Sequence, residues 1–250
     1  MADARWFEPV KTERRTLTGG FAELAVVSAA QVRQLPDGLG FAESTGLLYA
    51  YGTALYGLRE RGQLLAGQTV LILGAAGTLG VAAIETAKYL GARVIAAAST
   101  REKLELCRAC GADELINYAK EDLKTRTKEL TAGAGADVVY DSVGGDYAEA
   151  ALRATAWEGR FLVIGFTAGI PRIPTNLVLL KSCQMVGVFL GAMTARDPAL
   201  SQRLLEEIDG LCAEGKLSGQ VARTYSLEDA PQAMRDMLDR KTVGKIVITP

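Results

Sequence analysis

The chain has 250 residues, 49% of them hydrophobic, and its 28 Lys and Arg against 29 Asp and Glu leave a formal net charge of −1. That length supports a large core in one large or two small domains, and the balanced charge offers no basic footprint for nucleic acid. There is no histidine, which excludes imidazole metal ligands and histidine acid–base catalysis.

In chain order, Met1–Thr18 has no apolar leader-like run, and Asp3, Glu8 and Glu13 argue against a transit peptide. A cytoplasmic, reducing location is expected. Phe21–Val27 and Gln31–Leu35 read as short β segments, Pro36-Asp-Gly38 as a turn, and Gly46–Leu58 as a helix. No charged residue occurs from Gly62 to Ile84, long enough to raise the question of a membrane span. The Gly, Thr and Gln content and the strand–turn–helix pattern read instead as a soluble α/β core, so no membrane association is expected.

Within that run, Val70–Leu73 is a buried strand, Gly74, Gly77 and Gly80 mark a turn, and an amphipathic helix follows, ended by Gly91. This is the first unit of a dinucleotide-binding domain: small residues admit a pyrophosphate, and the helix N-terminus supplies free N–H groups. The first glycine of the usual G-x-G-x-x-G falls on Ala75, so the turn taken alone also suits a tight connection whose glycines serve packing.

Further strands are expected at Arg93–Ala98, Glu114–Asn117, Asp137–Asp141, Arg160–Ile164 and Met185–Phe189. Ser99-x-x-Glu102 reads as a capping box for a helix that Gly111 terminates. Helices are also expected over Asp122–Leu130 and Asp146–Ala154. Six strands with helical crossovers imply a Rossmann doubly wound parallel α/β sheet with helices on both faces. At the C-terminal end, strands Val221–Tyr225 and Lys245–Thr249 flank a helix, Glu228–Arg240. Cys107-x-x-Cys110 lies inside the predicted helix Arg101–Cys110, with no second pair nearby, so packing rather than metal binding is expected.

An NAD site expects an acid about 20 residues past the glycine turn. Here the second strand ends in Ala96-Ala-Ala-Ser-Thr-Arg-Glu-Lys103, with no acid at the tip. Hydroxyls on Ser99 and Thr100 and charge on Arg101 and Lys103 favour NADPH over NADH.

Several motifs in order now resemble a known family. Gly19-Gly-Phe-Ala-Glu23, Tyr51-Gly-Thr-Ala54, Gly74-Ala-Ala-Gly-Thr-Leu-Gly80, Ile116-Asn-Tyr118, Tyr140-Asp-Ser-Val-Gly-Gly145, Trp157-Glu-Gly-Arg160, Asn176-Leu-Val-Leu-Leu-Lys181 and Gly244-Lys-Ile-Val247 are similar to those of zinc-free, quinone oxidoreductase-like medium-chain dehydrogenases/reductases. The resemblance implies NADPH-dependent hydride transfer to a quinone or related α,β-unsaturated carbonyl. It implies that Thr53 lies near the nicotinamide half and that Ala76, Gly77, Thr78, Leu79 and Gly80 cradle the pyrophosphate. Ser99, Thr100, Lys103 and Tyr118 would surround the 2′-phosphate and ribose, and Val143 and Gly144 the middle of the cofactor. Gly165, Phe166, Thr167, Val188, Phe189 and Leu190 would line the nicotinamide, and Arg240 would reach back to the cofactor. No catalytic side chain and no metal ligand are assigned. The uncharged segment 183–191 resembles an edge strand through which such enzymes form homodimers.

Relative to that family, only Met1 to about Thr18 precedes the Gly-Gly-Phe-Ala-Glu segment, so most of a GroES-like domain of on the order of 100 residues is expected to be missing. Residues 1–40 and 215–250 are then expected to be its remnant and 41–214 the NADP-binding domain. A shortened isoform or a truncated product fits this pattern. Two functional readings follow: an NADPH-dependent reductase, or an NADPH-binding protein impaired in catalysis that acts through dimerisation or sensing. A structural protein without ligand is a third.

Overall fold

A computed structural model describes residues 20–27, 29, 32–35 and 39–250. Helices α1 (Phe41–Ser44) and α2 (Leu47–Leu55) come first, and α2 runs into one π-helical turn, Tyr56–Arg61. The Gly62 N–H closes that turn on the Gly57 carbonyl at 2.7 Å. Alternation then sets in with β1 (Thr69–Leu73), α3 (Thr78–Tyr89), β2 (Arg93–Ala98), α4 (Arg101–Ala109), β3 (Glu114–Asn117) and α5 (Leu123–Leu130). It continues through β4 (Ala136–Asp141), α6 (Tyr147–Ala154), β5 (Thr155–Val163), α7 (Asn176–Leu180) and β6 (Gln184–Gly187). Helices α8 (Leu190–Arg196) and α9 (Pro198–Ala213) precede β7 (Val221–Ser226), α10 (Ala230–Leu238) and β8 (Lys245–Thr249).

The first six strands form one parallel sheet in the order β3-β2-β1-β4-β5-β6. Both faces are covered, which explains the unbroken apolar runs of its central strands. Val70 and Ile72 join a core with Leu55 of α2 and Ile84 of α3. Leu71 and Leu73, on the opposite face, pack with Leu123 of α5 and Leu152 of α6. The chain order reverses between β1 and β4, so the carboxyl ends of these strands border a crevice. The uncharged run from Gly62 to Ile84 contains β1, the glycine turn and the start of α3; no helix among the described residues is long and apolar enough to cross a membrane.

Several expectations are corrected. Phe21–Val27 forms no strand, and Phe21, Leu24, Val26 and Val27 are exposed, without a paired strand to complete a ladder. Val32–Leu35 is likewise not a strand, while Gln31, the turn Pro36–Gly38 and Met1–Thr18 lie outside the described residues. The β strand anticipated to Phe189 ends at Gly187, and Phe189 caps α8. Strand β5 starts five residues earlier than its apolar pattern suggests. A register shift near its start and a left-handed Glu158 (φ 57°) carry the polar Trp157-Glu-Gly segment within the strand, as a β-bulge does.

The N-cap of α4 is Thr100, whose Oγ1 accepts the Lys103 N–H, rather than Ser99. Sequence reasoning left α7, α8 and α9 unread. For α9 the signal was present: Asp197 accepts the Leu200 N–H at 2.9 Å, and Pro198 occupies the first helical position. Among the described residues, strands β7 and β8 pair only with each other, in parallel, across α10.

Candidate functional site

The glycine turn is shaped by close approach. Gly74 has φ 63°, and a Cβ there would lie 2.8 Å from Val143 Cγ2. A Cβ on Gly80 would lie 2.5 Å from Ala75 Cα and closer still to the Gly74 carbonyl, so these two glycines are required by packing. Gly77 differs. It is the N-cap of α3 with ordinary extended angles and no side chain to cap the helix. The first N–H groups of α3 therefore keep their hydrogen-bonding capacity, and the helix end carries positive potential.

In front of this turn lies a cleft of about 710 Å³, of the size that holds a cofactor. Of the sequence-predicted residues, Ala76, Gly77, Thr78, Leu79, Gly80, Ser99, Lys103, Tyr118, Val143, Thr167 and Arg240 line it. Thr100 does not line it; it is exposed and serves as the α4 cap. At one end, the Lys103 ammonium donates to the Arg240 carbonyl at 3.2 Å, joining α4 to the end of α10. Tyr118 lies here too. Burial raises its phenol pKa, as does the nearby Tyr147, while the neighbouring Ser99 and the charge of Arg240 pull it down. The phenol thus stays protonated at neutral pH.

The loops after β4 and β5 form the opposite wall. Asp141 ends β4 and folds its carboxylate back, Oδ1 accepting the N–H groups of Val143 (2.8 Å) and Gly144 (2.9 Å). The Val143 carbonyl accepts the Ala168 N–H at 2.8 Å, and the Gly145 N–H donates to the Gly169 carbonyl at 2.8 Å. Gly144 has φ 69°, and a Cβ there would lie 2.6 Å from Gly169 O. A Cβ on Gly165 would approach Ser142 O to 3.3 Å. These glycines let two loops lie against each other, whereas Thr167 reaches the cleft. Phe166 is half exposed behind them.

Burial lifts the Asp141 carboxyl above its ordinary range, against the pull of the two amides. A folded-state pKa above the unfolded value means the contribution to stability is present at low pH and is lost as pH rises through the folded pKa. Asp141→Asn keeps the accepting Oδ1 and removes the buried charge. It should melt higher than the parent near neutral pH, with the gain shrinking in acid; a lower melting temperature at neutral pH would contradict this account.

Of the remaining predicted residues, Thr53, Val188 and Leu190 lie in a neighbouring packed group and do not line this cleft. Thr53 is buried in α2, its hydroxyl donating to the Tyr49 carbonyl at 2.5 Å. Beside α2 and the π-helical turn that follows it, Val188 Cγ1 would lie 3.5 Å from a Cβ on Gly57, and Leu190 Cδ2 3.3 Å from one on Gly52. Phe189 is exposed. Sequence reasoning missed Tyr49, Ser142, Tyr147, Met237, Leu238 and Gly244, all of which line the cleft. The Gly244 N–H donates to the Ala76 carbonyl at 3.0 Å, tying the approach to β8 onto the glycine turn.

Cys107 is buried and Cys110 partly so. Burial pushes their thiols up to about 12 and about 11, which suppresses thiolate formation at neutral pH. Among the described residues no group of three or more Cys, Asp or Glu is placed to hold a metal ion.

Comparison with known proteins agrees with this geometry. Residues 78–207 match the family model described as zinc-binding dehydrogenase. A quinone oxidoreductase-like protein 2 homolog from Nematostella vectensis is 39% identical over 233 residues, spanning 92% of this chain and 64% of that protein. A quinone oxidoreductase from Pseudomonas aeruginosa is 34% identical, over 93% of this chain and 72% of that protein. The Escherichia coli quinone oxidoreductase, solved with NADPH, superposes with a TM-score of 0.80 at 30% identity, covering 86% of this chain and 67% of that one. A mycobacterial protein, also solved with NADPH, gives 0.85 at 29% identity, over 92% and 71%. The chain spans 64% to 66% of the length of the quinone oxidoreductase-like protein 2 relatives. By sequence along most of its length and by fold, this chain belongs to the quinone oxidoreductase-like medium-chain dehydrogenases/reductases.

Proposed function

We propose that the cleft binds NADPH and that the protein transfers hydride from it to a quinone or related α,β-unsaturated carbonyl. The observation that carries this reading is the uncapped N-terminus of α3 facing a cleft whose far end gathers Lys103, Arg240, Ser99 and Tyr118. Free helix N–H groups suit a pyrophosphate, and charged donors beside hydroxyls suit a 2′-phosphate. Thr78, Leu79 and Gly80 hold the diphosphate through their backbone. Val143 and Thr167 bound the middle of the bound molecule, and Tyr49 stands on the rim with Met237 and Leu238. NADPH supplies the hydride; the chain's part is to orient it and to limit water.

The apolar rim is open, Tyr49 being 63% and Leu238 78% exposed. That favours a second reading, in which the chain binds NADPH without turning it over. Both readings require binding, which must raise the melting temperature, and NADPH should do so more than NADH. Lys103→Glu should erase that preference; an unaltered preference would sink the 2′-phosphate assignment. Oxidation of NADPH with a panel of small quinones and enones, followed by absorbance, then separates the readings. Turnover above the uncatalysed rate supports the reductase, and stabilisation without turnover supports the binder.

We also propose a homodimer through segment 183–191. Strand β6 is the last of its sheet, the segment is uncharged, and Met185 and Phe189 are exposed on it. An open apolar edge of this kind is a liability unless covered. Sedimentation should give a dimer that Met185→Lys converts to monomer; a monomeric parent protein would rule it out.

A further inference from the structure

Tyr147 is the first residue of α6 and lines the cleft, although nothing in the glycine turn or the second strand points to it. It arrives there because Gly144 and Gly145 both take left-handed angles, φ 69° and 57°. A Cβ on Gly145 would lie 2.7 Å from Ala168 O, so only a chain without side chains at these positions turns tightly enough between β4 and α6. The Tyr147 ring lies 4.6 Å from that of Tyr118, tilted by 48°, within the range of favourable aromatic pairing.

Tyr118 needs such support. It follows β3, the edge strand of the sheet, so neighbouring strands cover it on one side only. Its backbone is fixed by the Tyr118 N–H donating to the Ala98 carbonyl at 3.2 Å. Its ring has the ordinary rotational freedom of a tyrosine unless packed. Both rings are half-buried against the core formed with α5 and α6. Tyr147, coming from the loop after β4 on the interior side of β3, packs its ring against that of Tyr118, and both line the same cleft as Ser99 and Arg240.

We infer that Tyr147 is a positioning residue for cofactor discrimination: its ring holds Tyr118 so that the phenol is presented, with Ser99, Lys103 and Arg240, to the 2′-phosphate of NADPH. This rests on the NADPH reading of the cleft. The Tyr147 hydroxyl is not used; the ring alone does the positioning. The contribution is selective, because NADH has no group at the position to which the Tyr118 hydroxyl is directed.

The test is titration of the full chain with NADPH and, separately, with NADH. Tyr147→Leu retains apolar bulk and removes the aromatic face. It should weaken NADPH binding by roughly 5- to 10-fold, the scale of an aromatic pair, and leave NADH binding within about twofold. Tyr147→Phe should restore the parent value. In a Tyr118→Phe background, Tyr147→Leu should no longer alter the NADPH-to-NADH ratio, since the coupled hydroxyl is gone. Melting curves establish that each variant is folded, and Tyr147→Met, which likewise lacks the aromatic face, carries the test if Tyr147→Leu is not. Equal weakening of both cofactors, no change in either, or failure of Tyr147→Phe to match the parent overturns the positioning role while leaving the NADPH reading intact. Equal affinity of the parent chain for NADPH and NADH, or no binding of either, removes that reading itself.

Discussion

Gly80→Ala is expected to cost about 3 kcal/mol, the upper end for overpacking a filled site, and to lower Tm by roughly 10 °C in a chain of this size. The added Cβ would stand 2.5 Å from Ala75 Cα and carbonyl C and closer to the Gly74 carbonyl. All of these are backbone atoms. Alanine would normally strengthen a helix relative to glycine by up to about 1 kcal/mol, so propensity predicts stabilisation and packing predicts the reverse. Packing should win, because α3 must move away from the turn to admit the methyl group, and its neighbours Ala75 and Ala83 are fully buried. Thermal melting of the ligand-free protein measures the effect, and a Tm equal to or above the parent's would show that the turn relaxes more freely than the distances imply.

Gly77→Asp should behave in the opposite way. Gly77 has extended angles, φ −82° and ψ 172°, and a Cβ there would meet only the Gly74 carbonyl, at an ordinary 3.4 Å. Aspartate is moreover a favoured N-cap. Folding stability should hold or rise slightly. Binding should collapse, because the carboxylate would compete for the N–H groups of α3 and repel a pyrophosphate. At about 4 Å and an effective dielectric near 20, one such repulsion is roughly 4 kcal/mol, a factor on the order of 10³ in affinity. Direct titration with NADPH reads it. Retained NADPH affinity in a folded Gly77→Asp protein would mean that the diphosphate does not use this helix end. The two substitutions, three residues apart, separate a glycine required by packing from one required by the cleft.

Much of the nucleotide domain was legible because its signals are local. Arg93–Ala98 and Glu114–Asn117 form strands with the bounds their patterns suggest. An apolar run of strand length between turn residues does not depend on what it pairs with. The glycine turn and Lys103 were found the same way, Tyr118 and Arg240 only through the family resemblance, and all of them line one cleft. Thr53, Val188 and Leu190 were assigned to the same site by resemblance. Thr53 is buried within α2, and Val188 and Leu190 pack against Gly57 and Gly52 respectively.

Other features carried no local signature. Phe21–Val27 has the apolar content of a strand, but a strand exists only as part of a ladder, and none of the described residues pairs with it. Val221–Tyr225 and Lys245–Thr249 also read as strands and are, because α10 brings one beside the other. Ser99 and Thr100 are both capping residues by type; which of them caps α4 followed from where β2 releases the chain.

By itself the sequence determined the alternation of strand and helix, the glycine turn and the absence of an acid after the second strand, each set by spacings of a few residues. The tertiary structure alone decided that Tyr147 faces Tyr118, that Gly244 closes on Ala76 and that the loops after β4 and β5 interlock. Those contacts depend on the order in which strands are laid into the sheet, which brings together residues far apart in the chain and leaves no periodic trace in it.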